Sequence, residues 1–138
     1  MTVPPIEVRN ETVIRAPADR VWGLLTDVER WPSWYRACRW VRQDSPGSFT
    51  WKAHPVLLRS TVVASERPRV FAITADGLGV HAERAFTVRP SSDGRSSVVV
   101  SHETQVGPLP WFGRAILAPR LHAANKVMFE DLARAAVS

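Results

Sequence analysis

Apolar and polar positions change their period three times along the chain. IEVRNETVIR (6–15) alternates loosely and is rich in β-branched residues, which predicts a strand. In PADRVWGLLTDVE, Val21, Leu24, Leu25 and Val28 recur at helical spacing after Pro17, a residue suited to the first turn of a helix. This helix is expected to stop between Asp27 and Trp31, because Pro32 disfavours a helical residue before it. ERWPSWY then reads as a second short helix or a tight turn.

From Arg36 to Thr104 the period falls to two. Strands are predicted over 37–43, 48–54, 57–65, 70–75, 80–89 and 96–105, separated by DSPG, HP, ERPR, DGLG and SSDG. Short strands so punctuated make an antiparallel meander. The tail, LPWFGRAILAPRLHAANKVMFEDLARAAV, returns to helical spacing, with Leu117, Leu121, Ala124, Met128 and Leu132 on one stripe. Pro119 lies inside it and is expected to bend or interrupt the helix. The order is strand, two short helices, six strands and one long helix. A curved antiparallel sheet with one apolar face needs a cover, and only the last helix is long enough. One helix does not fill the concavity, so side chains or a ligand must.

Composition changes this picture little. The 138 residues suit a single domain spanning 1–138. Six tryptophans imply a bulky core or a ring-lined cavity. The net charge of +5 comes almost wholly from arginine, with Lys52 and Lys126 the only lysines, and these charges are spread along the chain. They read as a solvated surface rather than a nucleic-acid interface, although Arg36, Arg39 and Arg42 come close to a patch. Cys38 is the single cysteine and excludes an internal disulfide. The first ten residues lack the apolar core of a signal peptide, and no apolar run reaches the ~18 residues of a membrane span. A cytoplasmic protein without a membrane span is therefore expected. No HExxH, CxxC, GxSxG or phosphate-loop pattern is present, so no metal and no cofactor is expected.

The candidate chemistry lies in the hairpin AERAFTVRPSSDGRSSVVVSHET (82–104). Folded at Ser92, Asp93 and Gly94, it sets Val88 opposite Val98, Phe86 opposite Val100 and Arg84 opposite His102. An arginine and a histidine then share an apolar face. A slip of one residue turns the face over and puts Glu83 and Glu103 inside. A buried arginine needs a partner, either a ligand oxygen or a structural carboxylate or backbone group. On the long helix, Asn125 lies near the buried stripe, where it could hold a ligand hydroxyl or the carbonyl freed by Pro119. Trp34, Trp51, Trp111 and Phe112 divide between core and cavity wall, whereas Trp22 reads as core.

VIRAPADRVWGLLTDVERWPSWY resembles the opening of START-like (SRPBCC) proteins, and SFTW, SERPRVFAIT, GVHAERAFTV and SHETQVG follow in that family's order. The subgroup it resembles is the polyketide cyclase/dehydrase-like proteins, over residues 6 to 137. The resemblance implies an α+β helix-grip fold: a seven-stranded curved antiparallel sheet wrapped around a long C-terminal helix. It further implies a hydrophobic small molecule held between sheet and helix, with catalysis of aldol cyclisation or dehydration in some members. Relatives often carry histidine and tryptophan where this chain has Arg84 and Phe86, and tryptophan where it has Ile73.

Two functions follow as expectations. The first is a binding protein for a hydrophobic, aromatic or polyketide-like molecule, with Trp34, Trp51, Ile73, Phe86, Trp111, Phe112, Leu117, Leu121 and Asn125 as ligand contacts. The second is a cyclase or dehydratase in which Arg84 holds an enolate and His102 moves the proton. An interaction module with a protein-binding groove is a weaker third reading. The expected partner is a hydrophobic small molecule rather than nucleic acid, and paired edge strands leave room for a homodimer.

Overall fold

The structure is a computed structural model. It describes residues 5–53, 56–66, 70–77 and 79–137, and for 108–117 the course of the backbone alone. The N-terminal alternation forms β1 (Ile6–Ile14), which turns Ile6, Val8, Asn10 and Ile14 inward. Pro17 stands in extended conformation just before α1 (Ala18–Thr26), one position earlier than expected, and its carbonyl accepts the N–H groups of Arg20 and Val21. The helix ends at Thr26, ahead of a 3₁₀ turn at Val28–Arg30 and the short α2 (Trp31–Trp34). Pro32 does not push Trp31 out of the helical region. It occupies the first turn of α2, where a missing N–H is tolerated.

The period-two region folds into β2 (Cys38–Ser45), β3 (Ser48–Ala53), β4 (Val56–Glu66), β5 (Val70–Gly77), β6 (Val80–Pro90) and β7 (Ser97–Val106). The seven strands form one antiparallel sheet in the order β1-β7-β6-β5-β4-β3-β2. The register shifts between Val62 and Ala64 in β4 and twice in β2, and such irregularities bend a strand and raise its local twist. The concave face therefore wraps around α3 (Pro108–Val137), the helix-grip arrangement that the resemblance implies. α3 runs through Pro119 as one helical span, so the proline does not interrupt it.

The β6–β7 hairpin departs from expectation by one residue. Arg84 pairs with Glu103, Phe86 with Ser101 and Val88 with Val99, while His102 stands opposite Ala85. The cause is the turn. Ser91 N–H bonds the Ser96 carbonyl, and Asp93 Oδ1 accepts both Ser91 Oγ and the Arg95 N–H. These bonds accommodate one more residue than a turn centred on Asp93 would hold. A shift of one residue in β7 exchanges its faces while leaving β6 as expected. Val99, Ser101 and Glu103 consequently point inward, and His102 is exposed.

The core is continuous from α1 and α2 across the sheet to α3. Trp31 is its centre: its ring meets the edges of Phe49, Trp51 and Tyr35 at 5.6, 5.3 and 6.1 Å, and its indole N–H donates to the Leu25 carbonyl. Trp22 packs edge-on against Phe71, as its core assignment requires. Burial of each such large side chain contributes roughly 1.5–3 kcal/mol of transfer free energy.

Two polar ties hold the last two turns of α3 in place. Arg20 on α1 donates from Nε to the Ala136 carbonyl at 2.6 Å, at the end of the helix where a cation is favourable. Asp131, fully buried, accepts Arg36 through the backbone N–H at 3.1 Å, Nε at 2.9 Å and Nη2 at 2.8 Å. Burial pushes the Asp131 carboxyl upward, but the hydrogen bonds and charge of Arg36 outweigh this and hold it below the usual carboxylate range. Arg36 is thus a clamp between the α2–β2 connection and α3 rather than part of a basic patch, and Arg42 is paired with Asp44.

A depressed carboxyl stabilises the fold fully above its unfolded pKa of about 3.9, and the contribution is lost as pH falls through the lower folded value. Asp131→Ala is therefore expected to cost about 2 kcal/mol near neutrality from the lost hydrogen bonds. The difference between variant and parent should narrow below about pH 4. Urea denaturation across pH 2.5–8 measures both.

Candidate functional site

Between the concave sheet and α3 lies a cavity of about 180 Å³. Its position follows from side-chain size along neighbouring strands. Ala53, Ala75 and Ala82 on β3, β5 and β6 leave space that larger residues would fill, and Val80 and Leu58 border it. Trp31, Tyr35 and Trp51 wall one side, Ile73 and Phe86 form part of the floor, and Leu121, Asn125 and Met128 face it from α3. The Trp51 indole N–H is satisfied by Ser60 Oγ at 2.9 Å, so the ring presents its apolar body to the space.

The polar groups are few and converge. Arg84, 12% exposed at its side chain, lies with its guanidinium carbon 4.4 Å above the centre of the Phe86 ring. Its Nε is 3.7 Å from Glu103 Oε1, near enough for charge attraction but too long for a hydrogen bond. Nη2 donates to Ser101 Oγ at 3.4 Å. Glu103, 8% exposed at its side chain, takes the Asn125 amide on Oε1 at 3.1 Å and the Gln105 amide on Oε2 at 2.8 Å. Strand β7 supplies Ser101, Glu103 and Gln105 by simple alternation, β6 supplies Arg84 directly across from Glu103, and α3 supplies Asn125. Tyr35 belongs to the same wall. Burial pushes its phenol up, and the nearby Arg84 charge offsets part of that rise.

Among the expected residues, Arg84, Trp51, Ile73, Phe86, Leu121 and Asn125 are brought to one cavity. Asn125 donates from Nδ2 to Glu103 Oε1, which ties it to the polar group of the cavity wall. Trp34 is buried but stacked on Tyr35, and it borders a different, shallow surface cleft with Leu24, Ser33 and Arg134. The side chains of Trp111, Phe112 and Leu117 lie outside the described residues. His102 is corrected: it occupies the outer face of β7 opposite Arg9 of β1 and is exposed, because the hairpin turn sets the other register. Its place inside is taken by Glu103. His81 is half-buried at the β5–β6 end and pairs through Nδ1 with Asp76, which raises its pKa.

Glu103, Tyr35, Gln105, Trp31 and Met128 are among the wall residues that sequence reasoning did not assign to the site. For Glu103 the signal existed, since the alternative register placed it inside. Tyr35 carried none, because its burial depends on how α2 packs over β3. Cys38, buried near this wall, has its thiol pushed up to about 11 by burial, which makes it a poor nucleophile. A thiol reagent at pH 7.5 is expected to label it only at the rate of unfolding, so labelling should accelerate sharply once urea is added.

A sequence model of the family described as polyketide cyclase/dehydrase and lipid transport matches residues 5–137. No curated protein matches the chain. Solved structures share the fold at low identity. A START superfamily protein from Mycobacterium smegmatis is 15% identical with a TM-score of 0.74, covering 94% of this chain and 92% of that one. The Zhui aromatase/cyclase from Streptomyces is 16% identical with a TM-score of 0.74, again over 94% and 92%. A protein from Thermus thermophilus is 21% identical with a TM-score of 0.76, over 95% and 97%.

Proposed function

The chain belongs to the polyketide cyclase/dehydrase and lipid transport family, and from that premise we propose that it binds a hydrophobic small molecule, aromatic or polyketide-like, between its sheet and α3. The observation that carries this reading is the cavity itself: apolar walls with one convergent cluster of polar groups, the ordinary make-up of a small-molecule site. At about 180 Å³ it is slightly larger than the roughly 150 Å³ apolar cavities that take up benzene. It suits one ring with a short substituent, so a larger ligand would extend beyond it.

Trp31 and Trp51 stand in the wall and report occupancy. Saturable quenching of tryptophan fluorescence by single-ring aromatic compounds is expected, together with a retained small molecule in native mass spectrometry of freshly purified protein. Ile73→Trp fills the space from its floor, and it should abolish quenching while leaving the fold intact by circular dichroism. Quenching that is equal in parent and variant would place the ligand elsewhere.

One observation favours a second reading, the cyclase or dehydratase. Glu103 stands beside Arg84 on the cavity wall, so a carboxylate occupies the position expected for His102. Here Glu103 would accept the proton from the carbon α to a carbonyl, and Arg84 would hold the enolate oxygen that forms. In this reading Glu103→Gln is expected to cut turnover of a poly-β-ketone substrate at least a hundredfold with binding retained. His102→Ala should leave both unchanged.

A further inference from the structure

From the charge balance around Arg84 we infer that the cavity selects a ring bearing a neutral oxygen acceptor, a carbonyl, over a carboxylate of the same size. The inference rests on the cavity reading and deepens it.

The guanidinium is short of acceptors. It holds five N–H donors. Among the described residues only Ser101 Oγ accepts from it, at 3.4 Å, and Nε is buried without a hydrogen-bond partner. Phe86 beneath it offers a π face and no lone pair in the guanidinium plane. Glu103 does not supply the missing bond, because its closest approach is 3.7 Å. Its two oxygens are instead drawn to the Asn125 and Gln105 amides. Those two bonds hold the carboxylate back from the arginine. The arrangement leaves donors facing a cavity with their natural acceptor restrained nearby.

A bound oxygen would accept from the guanidinium N–H groups at the cavity wall, whose demand Ser101 alone does not meet. The charge of that oxygen is decided by Glu103. Arg84 and Glu103 already sum to zero within the same wall. A second carboxylate would lie a few ångströms from Glu103 in a low-dielectric space, where like charges repel strongly. It would also surrender its own hydration to gain one cation that is already balanced. A ketone or aldehyde oxygen accepts the same hydrogen bonds with no like-charge repulsion and little desolvation. Simple attraction of an anion to an arginine, the reading that the residue type alone suggests, is thereby outweighed.

Three probes of similar size separate the possibilities: acetophenone, benzoate and cumene, titrated at pH 7.5 against tryptophan fluorescence of the full chain. Acetophenone is expected to bind about tenfold tighter than cumene, the gain of one charge-assisted hydrogen bond, with benzoate weakest. Glu103→Gln removes the opposing charge but keeps a side chain able to meet Asn125. This variant should bring benzoate above acetophenone, whereas Arg84→Met should equalise acetophenone and cumene. Benzoate binding tightest to the parent, or cumene binding as well as acetophenone, overturns the inference while the apolar cavity reading stands. Failure of all three to bind overturns both. The parent titrations decide the matter even if a variant does not fold.

Discussion

An arginine can sit inside an apolar cavity only if something fixes it there and something else compensates its charge. Here both follow from the pairing of β6 with β7, which sets Arg84 directly across from Glu103. The pairing is fixed in turn by the Ser91–Ser96 loop, where Asp93 gathers the Ser91 hydroxyl and the Arg95 N–H. A loop of different length would send Glu103 to solvent and bring His102 inward. The cavity would then hold an uncompensated cation beside a titratable ring. A turn at the end of two interior strands thus sets the electrostatics of the concave face.

The rest of the concave face is arranged around that pair. Phe86 and Phe71 stack behind it, Trp31 and Trp51 close the side nearest α2, and α3 brings Asn125 over the carboxylate. α3 can do so because its C-terminal half is anchored at two places, by Arg20 and through the buried Asp131. The two buried carboxylates have different jobs. Asp131 takes three hydrogen bonds from Arg36 and holds the fold together, while Glu103 takes one amide on each oxygen and leaves its arginine short of bonds. A fully bonded ion pair is structural, and one held apart beside a cavity is available to a ligand.

Family membership and low-identity structural likeness agree on the fold and leave the chemistry open, as expected where function resides in side chains grafted onto a common frame. The cavity is shaped locally, by small residues on β3, β5 and β6 that create the space and by the polar cluster on β6, β7 and α3 that lines it. Among the described residues no helix is long and apolar enough to cross a membrane.

The sequence by itself determined the element order and types, because period two and period 3.6 are local signals that turn residues punctuate clearly. It also determined that Arg84 faces inward, since β6 carries Ala82, Phe86 and Val88 at the same parity. Only the tertiary structure decided which β7 residue faces Arg84. Val98, Val99 and Val100 are apolar on both parities, so hydrophobicity could not choose a face, and the choice fell to hydrogen bonds in the turn. Only the tertiary structure, too, separated Trp34 from Trp51 and brought Tyr35 to the wall. The packing of a four-residue helix against a bent sheet depends on contacts between segments far apart in the chain, which no local periodicity records.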